Sequence, residues 1–197
     1  MERGFYRMNG ANQSPSEFWR NTSGVEHITP GGKWLPEGDW FAESMRSLGR
    51  IGNSVVEFGC GPGRLAGFFE KRLYEGVDIN GNAVGEARRR NPGYRFTTLR
   101  GAQLPPADVY LCHTVLLHIP DDEISRTVEM FGDTDVIVSE VMGRKWRRAG
   151  DPPVFNREPE EYIDIFGRYG LQNTSLEKAP YEHYKNTDLT MMMFSKC

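Results

Sequence analysis

Between residues 55 and 65 a short apolar run, Val55-Val56-Glu57-Phe58, passes straight into Gly59-Cys60-Gly61-Pro62-Gly63 and then Arg64-Leu65. This stretch constrains the fold more than any other. Four extended residues closed by glycine at alternate positions read as a buried strand that turns sharply. The stretch from Arg64 to Leu73, with Leu65, Phe68 and Phe69 on one helical face, predicts that a helix follows. Glycines admit positive φ and let a ligand come within contact of the main chain, where a side chain would collide. Amides at the helix start then point outward and suit a carboxylate or hydroxyl oxygen.

The rest of the chain repeats the alternation of short apolar runs with amphipathic stretches, which predicts an α/β three-layer sandwich around a mostly parallel seven-stranded sheet. The expected strands after the first are 76–78, 94–97, 109–112 and 136–139, with an antiparallel pair, 171–176 and 189–194, at the C-terminal edge. A helix is expected from Asp39 as N-cap, with Phe41, Met45 and Leu48 on one face and Gly49 closing it. Arg88-Arg89-Arg90 before Asn91-Pro92-Gly93 marks a helix end, where cations favour the helix dipole. A helix beginning at Asp121-Asp122 carries Ile124, Val128 and Phe131 inward, and a last one has Pro159 in its first turn and Tyr162, Ile163 and Phe166 inward.

With 197 residues, 38% of them hydrophobic, the chain suits one domain with a proper core. Residues 1–38, rich in Gly, Asn, Ser and Pro yet carrying Phe5, Tyr6, Phe18, Trp19 and Trp34, read as an arm packed on a core of residues 39–197. No apolar run approaches the roughly 18 residues of a membrane helix, and Met1-Glu2-Arg3-Gly4 opens no signal peptide, so a cytoplasmic protein with no membrane partner is expected. Three widely spaced cysteines, Cys60, Cys112 and Cys197, suggest neither a disulfide framework nor a metal site. A net charge of −3 gives no general attraction to nucleic acid, although Arg144-Lys145-Trp146-Arg147-Arg148 leaves a local RNA contact open.

Asp78 stands at the end of the second strand, about 20 residues past the loop, where an acidic side chain takes the two hydroxyls of a ribose. The glycine spacing is not the dinucleotide G-x-G-x-x-G, because Arg64 follows Gly63. Glu57-Phe58-Gly59-Cys60-Gly61-Pro62-Gly63-Arg64-Leu65 resembles the first motif of class I S-adenosylmethionine-dependent methyltransferases, and Gly76-Val77-Asp78-Ile79-Asn80 resembles their second. Gln103-Leu104-Pro105 with Asp108 to Asp121, ending Leu117-His118-Ile119-Pro120-Asp121, is similar to their stretch around the fourth strand. The resemblance runs from about Gly49 to the C-terminus and implies a Rossmann-like core that binds S-adenosylmethionine and releases S-adenosylhomocysteine. It implies that Glu57, Gly59, Cys60, Gly61 and Gly63 hold the methionine portion, Asp78 the ribose, and Ile79 an adenine face. The acid that often follows the third strand in such enzymes is absent here, and Gln103 and Leu104 take the adenine edge in its place; His113 borders the cofactor.

An activated methyl requires mainly placement of the nucleophile and exclusion of water, with a base where the acceptor is a hydroxyl. His113, His118 and Glu140 are the candidates, each with a structural alternative: packing against the cofactor, bracing the next helix, and pairing with the Arg144 cluster. Phe18, Trp19, Trp34 and Trp40 suit a lid, since a sulfonium is held well over an aromatic face. By the resemblance, residues 143–157 form the second wall of the acceptor pocket, where Arg144, Arg147, Arg148 and Arg157 suit an acidic acceptor. The expected partner is a small-molecule acceptor, methylated at oxygen or nitrogen. RNA or protein methylation and a non-catalytic cofactor-binding module stay open; DNA base methylation is disfavoured by Cys112-His113-Thr114-Val115 where an Asn/Asp-Pro-Pro-Tyr block would stand.

Overall fold

The computed structural model describes residues 14–22, 38–149, 154–181 and 186–196. Seven strands form one sheet: β1 (Val55–Phe58), β2 (Tyr74–Asp78), β3 (Arg95–Thr98), β4 (Val109–His113), β5 (Asp135–Val141), β6 (Leu171–Pro180) and β7 (Asp188–Lys196), in the order β3-β2-β1-β4-β5-β7-β6. The first five are parallel, and β7 runs antiparallel between β5 and the edge strand β6. The helices are α1 (Pro15–Asn21), α2 (Gly38–Arg50), α3 (Gly81–Arg90), α4 (Ile124–Glu129) and α5 (Pro159–Gly167).

Alternation along the strands sorts the side chains into two cores. Val56, Phe58, Tyr110, Cys112, Val136 and Val138 face α4 and α5, meeting Val128, Phe131, Tyr162 and Phe166. Val55, Val109, Leu111 and Ile137 face the other way, with Phe41 and Met45 of α2 and Val84 and Ala87 of α3. Three layers follow from that period of two. The chain runs β1 to β3 outward in one direction and returns to β4 on the other side of β1, so the carboxyl ends of β1 and β4 flank the crevice in which such sheets bind ligands.

Several boundaries differ from the sequence reading. The expected helix over Arg64 to Leu73 is a series of turns with one 3₁₀ turn, Ala66–Phe68. Its apolar residues do go inside, for Leu65, Ala66 and Phe69 are buried, but α2 already packs on this crossover. The C-terminal turn of α2 comes so close at Gly49 that a side chain there would collide with the Phe68 carbonyl. Gly67, a poor helix former, does nothing to resist the irregular path. Ile163 is 40% exposed whereas Ile165 is buried, because the inward stripe of α5 runs Tyr162, Ile165, Phe166. Helix α2 starts at Gly38, which puts Asp39 inside the first turn. Of the expected arm, α1 is described: Ser14 and Glu17 close a capping box over it. Phe5, Tyr6 and Trp34 lie outside the described residues.

Candidate functional site

β1 delivers Glu57, 3% exposed, to the crevice, where its carboxylate accepts a hydrogen bond from Tyr74 Oη on β2. Burial pushes the Glu57 carboxyl up to about 7, against the opposing pull of Tyr74 and the Arg64 charge. Gly59 then turns at φ 73° and Gly61 at 51°. Gly59 is required twice over, because a Cβ there would also stand 2.8 Å from Val115 Cβ, on the loop after β4. Asp78 fastens the turn: its Oδ2 accepts from Gly61 N at 2.8 Å and its Oδ1 from Asn80 N at 2.8 Å. Burial raises the Asp78 carboxyl above the usual range, and these amide bonds hold it back.

Asn80 carries the connection outward. Its Oδ1 caps α3 through Asn82 N and Ala83 N, and its Nδ2 donates to the Trp19 and Thr22 carbonyls at the end of α1. The Trp19 ring meets the His118 ring at 4.4 Å between centroids. A part of the arm is thereby placed over the crevice.

β4 ends in His113, buried, with its ring stacked on Phe41 at 4.4 Å and Nδ1 3.2 Å from Ser139 Oγ of β5. Thr114 follows at φ 51°, a left-handed conformation rare for a β-branched residue and typical of functional turns. Two buried charged residues hold the loop beyond it. Glu140 accepts from Val115 N and Leu117 N, each at 3.1 Å, and from Tyr162 Oη. Arg157 donates to Leu116 O at 3.0 Å, Ile119 O at 2.7 Å and Asp121 Oδ1 at 2.8 Å. One clamps the loop by its amides and the other by its carbonyls. Burial lifts the Glu140 carboxyl to about 7, with the Tyr162 hydroxyl, the loop amides and Arg157 opposing.

These elements surround one cavity of about 710 Å³, within the range of small-molecule sites. Glu57, Gly59, Cys60, Gly61, Asp78, Ile79, His113 and His118 all line it, as do Leu99, whose amide donates to the Asp78 carbonyl at 2.8 Å, Gly101, and Trp19, Trp146, Asn156, Tyr181 and Thr187 from other elements. Four expected residues do not. Gly63 packs toward Phe96 and Asn91, where a Cβ would stand under 3 Å from both. Gln103 is exposed and Leu104 is in the core, and Leu99 and Gly101 line the cavity in their stead. Glu140 is fully buried beneath the loop, bound to Tyr162 and main-chain amides and not to Arg144, which forks onto Glu161 at 2.8 and 2.6 Å. Arg147 pairs with Asp121, as Arg157 does. Arg148 alone of the four expected arginines lines the cavity. Among the described residues no group of acidic, histidine or cysteine side chains suits a metal ion, and no helix is long and apolar enough to cross a membrane.

Residues 55–133 match a family described as a methyltransferase domain. That match covers less than half of the chain; over its whole length the seven-stranded topology is that of the class I methyltransferase fold. Among particular relatives, a trans-aconitate 2-methyltransferase of Methylobacterium nodulans is 37% identical over 73 residues, 34% of this chain and 28% of that protein's length. Magnesium protoporphyrin IX methyltransferase from Synechocystis PCC 6803, solved with bound SAM, superposes with a TM-score of 0.68 at 19% identity, covering 95% of this chain and 100% of that one. The 1,6-didemethyltoxoflavin-N1-methyltransferase of Burkholderia thailandensis, solved with its namesake ligand and S-adenosylhomocysteine, gives 0.69 at 15% identity, covering 96% and 94%.

Proposed function

We propose that this chain is a single-domain enzyme that transfers the methyl group of S-adenosylmethionine to an oxygen or nitrogen of a small-molecule acceptor by in-line displacement. One observation carries the reading. The glycine turn fixed by Asp78 and the buried histidine that ends β4 open into the same cavity, with unrelated polar and aromatic residues at its other end. The cradle fits the cofactor: the main chain is bare at Gly59 and Gly61, and a side chain at Gly59 would push against the opposite wall.

When bound, S-adenosylmethionine supplies a methyl group already activated on a sulfonium. Glu57 and the Gly59–Gly61 main chain would hold its amino-acid portion, Asp78 the ribose, and Ile79 with Leu99 the adenine faces. His113 is held by the Phe41 ring and Ser139, as a positioned base requires, and would take the acceptor's proton. His118 and Trp19 together wall the cavity. Glu140 acts through the loop it clamps and touches no substrate. A cytoplasmic setting, in which Cys60 and Cys112 stay reduced, suits this reading. RNA methylation is the weaker reading, since Arg144, Arg147 and Arg157 are already engaged by acidic partners.

Calorimetric titration with S-adenosylhomocysteine, and with NAD in parallel, tests the reading. Binding of the former alone is expected; binding of neither, or of NAD, refutes it. Once an acceptor is in hand, His113→Ala is expected to keep S-adenosylhomocysteine affinity within a few-fold while lowering kcat about 10²-fold or more. Unchanged turnover removes His113 as the base.

A further inference from the structure

Among the described residues three buried side-chain polar atoms have no hydrogen-bond partner: Trp19 Nε1, Asn156 Oδ1 and Thr187 Oγ1. They come from α1, from the segment before α5 and from the residue before β7, and all three residues line the one cavity. Buried polar atoms are almost always paired, so three orphans converging from distant parts of the chain on one space mark where a ligand completes them. Asn156 is 3% exposed and Thr187 5%. The orientation of the Asn156 amide is fixed, because its Nδ2 donates to the Val141 carbonyl and only Oδ1 is left over. Asn156 therefore asks its ligand for a donor, and Trp19 Nε1 asks for an acceptor.

Charge and shape narrow the class further. Arg148 lines the same cavity, and its guanidinium forms no ion pair among the described residues, unlike Arg144, Arg147 and Arg157. Trp19, Trp146 and Tyr181 contribute aromatic walls, surfaces on which a planar ring packs well.

We propose that Asn156, Thr187, Trp19 and Arg148 form the acceptor subsite, and that it takes a planar aromatic acid bearing a hydroxyl or amino group. The hydroxyl or amine donates to Asn156 Oδ1, the acid oxygens receive Trp19 Nε1 and face Arg148, and Thr187 serves either. The proposal deepens the methyltransferase reading and rests on it for the reaction, while the binding preference stands on the orphaned atoms alone.

Salicylate is the probe and benzoate its control without the hydroxyl, both titrated into the full chain loaded with S-adenosylhomocysteine. Salicylate is expected to bind at least about tenfold more tightly, as a site left with an unpaired polar group discriminates against the analogue lacking its partner. Asn156→Leu should erase that preference, and the near-isosteric Thr187→Val should reduce it without disturbing the Val141 contact. Arg148→Gln, a surface change, should weaken both ligands together. S-adenosylhomocysteine affinity should stay within about twofold in the three variants. Absence of salicylate binding, equal affinity for the two acids, or a preference that survives both Asn156→Leu and Thr187→Val overturns the subsite. If S-adenosylhomocysteine itself fails to bind, the methyltransferase reading falls separately, and the same two acids titrated into the unloaded chain judge the subsite by the same criteria.

Discussion

Replacing Gly59 by alanine tests whether the cradle is built as described. The residue sits at φ 73°, and its new Cβ would stand 2.8 Å from Val115 Cβ and closer still to Cγ2. A left-handed alanine costs about 1–2 kcal/mol, and overpacking against a wall that cannot retreat about 1–3 kcal/mol. Val115 cannot retreat freely, since its amide is bound by Glu140. The sum, about 2–5 kcal/mol, corresponds to a fall in Tm of roughly 5–15 °C for a chain of this size. Urea unfolding of Gly59→Ala, Val115→Ala and the double variant separates the two contributions. Val115→Ala removes the Cγ2 collision but keeps its own Cβ near, so the double variant should be less destabilised than the sum of the singles by about 1–2 kcal/mol. The backbone contribution should persist in both. A Gly59→Ala variant within about 0.5 kcal/mol of the parent, or strict additivity in the cycle, would refute the close approach of the two loops.

Three further outcomes follow from the buried carboxylates. Glu140→Ala strands Tyr162 Oη and the Val115 and Leu117 amides and should cost at least about 3 kcal/mol in urea unfolding, with Glu140→Gln costing less. Asp78→Asn offers an NH₂ where one of two amides expects an oxygen; it should lower S-adenosylhomocysteine affinity about tenfold or more by calorimetry, and unchanged affinity would misplace the ribose. Glu57 and Glu140, raised to about 7 from 4.5, keep protons that the unfolded chain has lost, so their contribution to stability falls as pH rises from 4.5 to 7 and is level above. Glu161 and Glu86, lowered to about 2, act the other way below pH 4.5. Thermal midpoints from pH 2 to 8 should therefore peak near 4.5, and Glu140→Gln should flatten the upper limb.

The sheet and the glycine-turn end of the cavity were legible because their signals are local. Period-two apolar runs fix the strands, and the glycine turn with Asp78 fixes the crevice, all within 24 residues of continuous sequence from Val55 to Asp78. The helix expected after Gly63 failed because α2, whose position no local pattern in residues 64–73 reveals, already covers that face of β1. Glu140 was misassigned for a related reason: a carboxylate at the end of β5 looks the same in sequence whether it faces the cavity or the underside of the β4 loop. Its partners Leu117 and Tyr162 lie 23 and 22 positions away. Asn156 and Thr187 carry no motif, and only the cavity brings them together. Arg157 was expected to face an acidic acceptor, but it is buried by a task that only the folded loop creates.

Glu140 and Arg157 stand at the two ends of one segment, and the Gly143 amide bonds the Arg157 carbonyl at 2.8 Å, so the segment leaves the body and returns at nearly one point. Of the described residues between these posts, Val141, Trp146, Arg148, Val154 and Asn156 line the cavity, while the posts themselves shape the loop that abuts the glycine turn. On the proposed reading the architecture is a socket with a replaceable insert: lineages or engineers exchanging residues 144–155 for a segment of other length and chemistry would retune the acceptor while leaving the glycine turn and Asp78 in place.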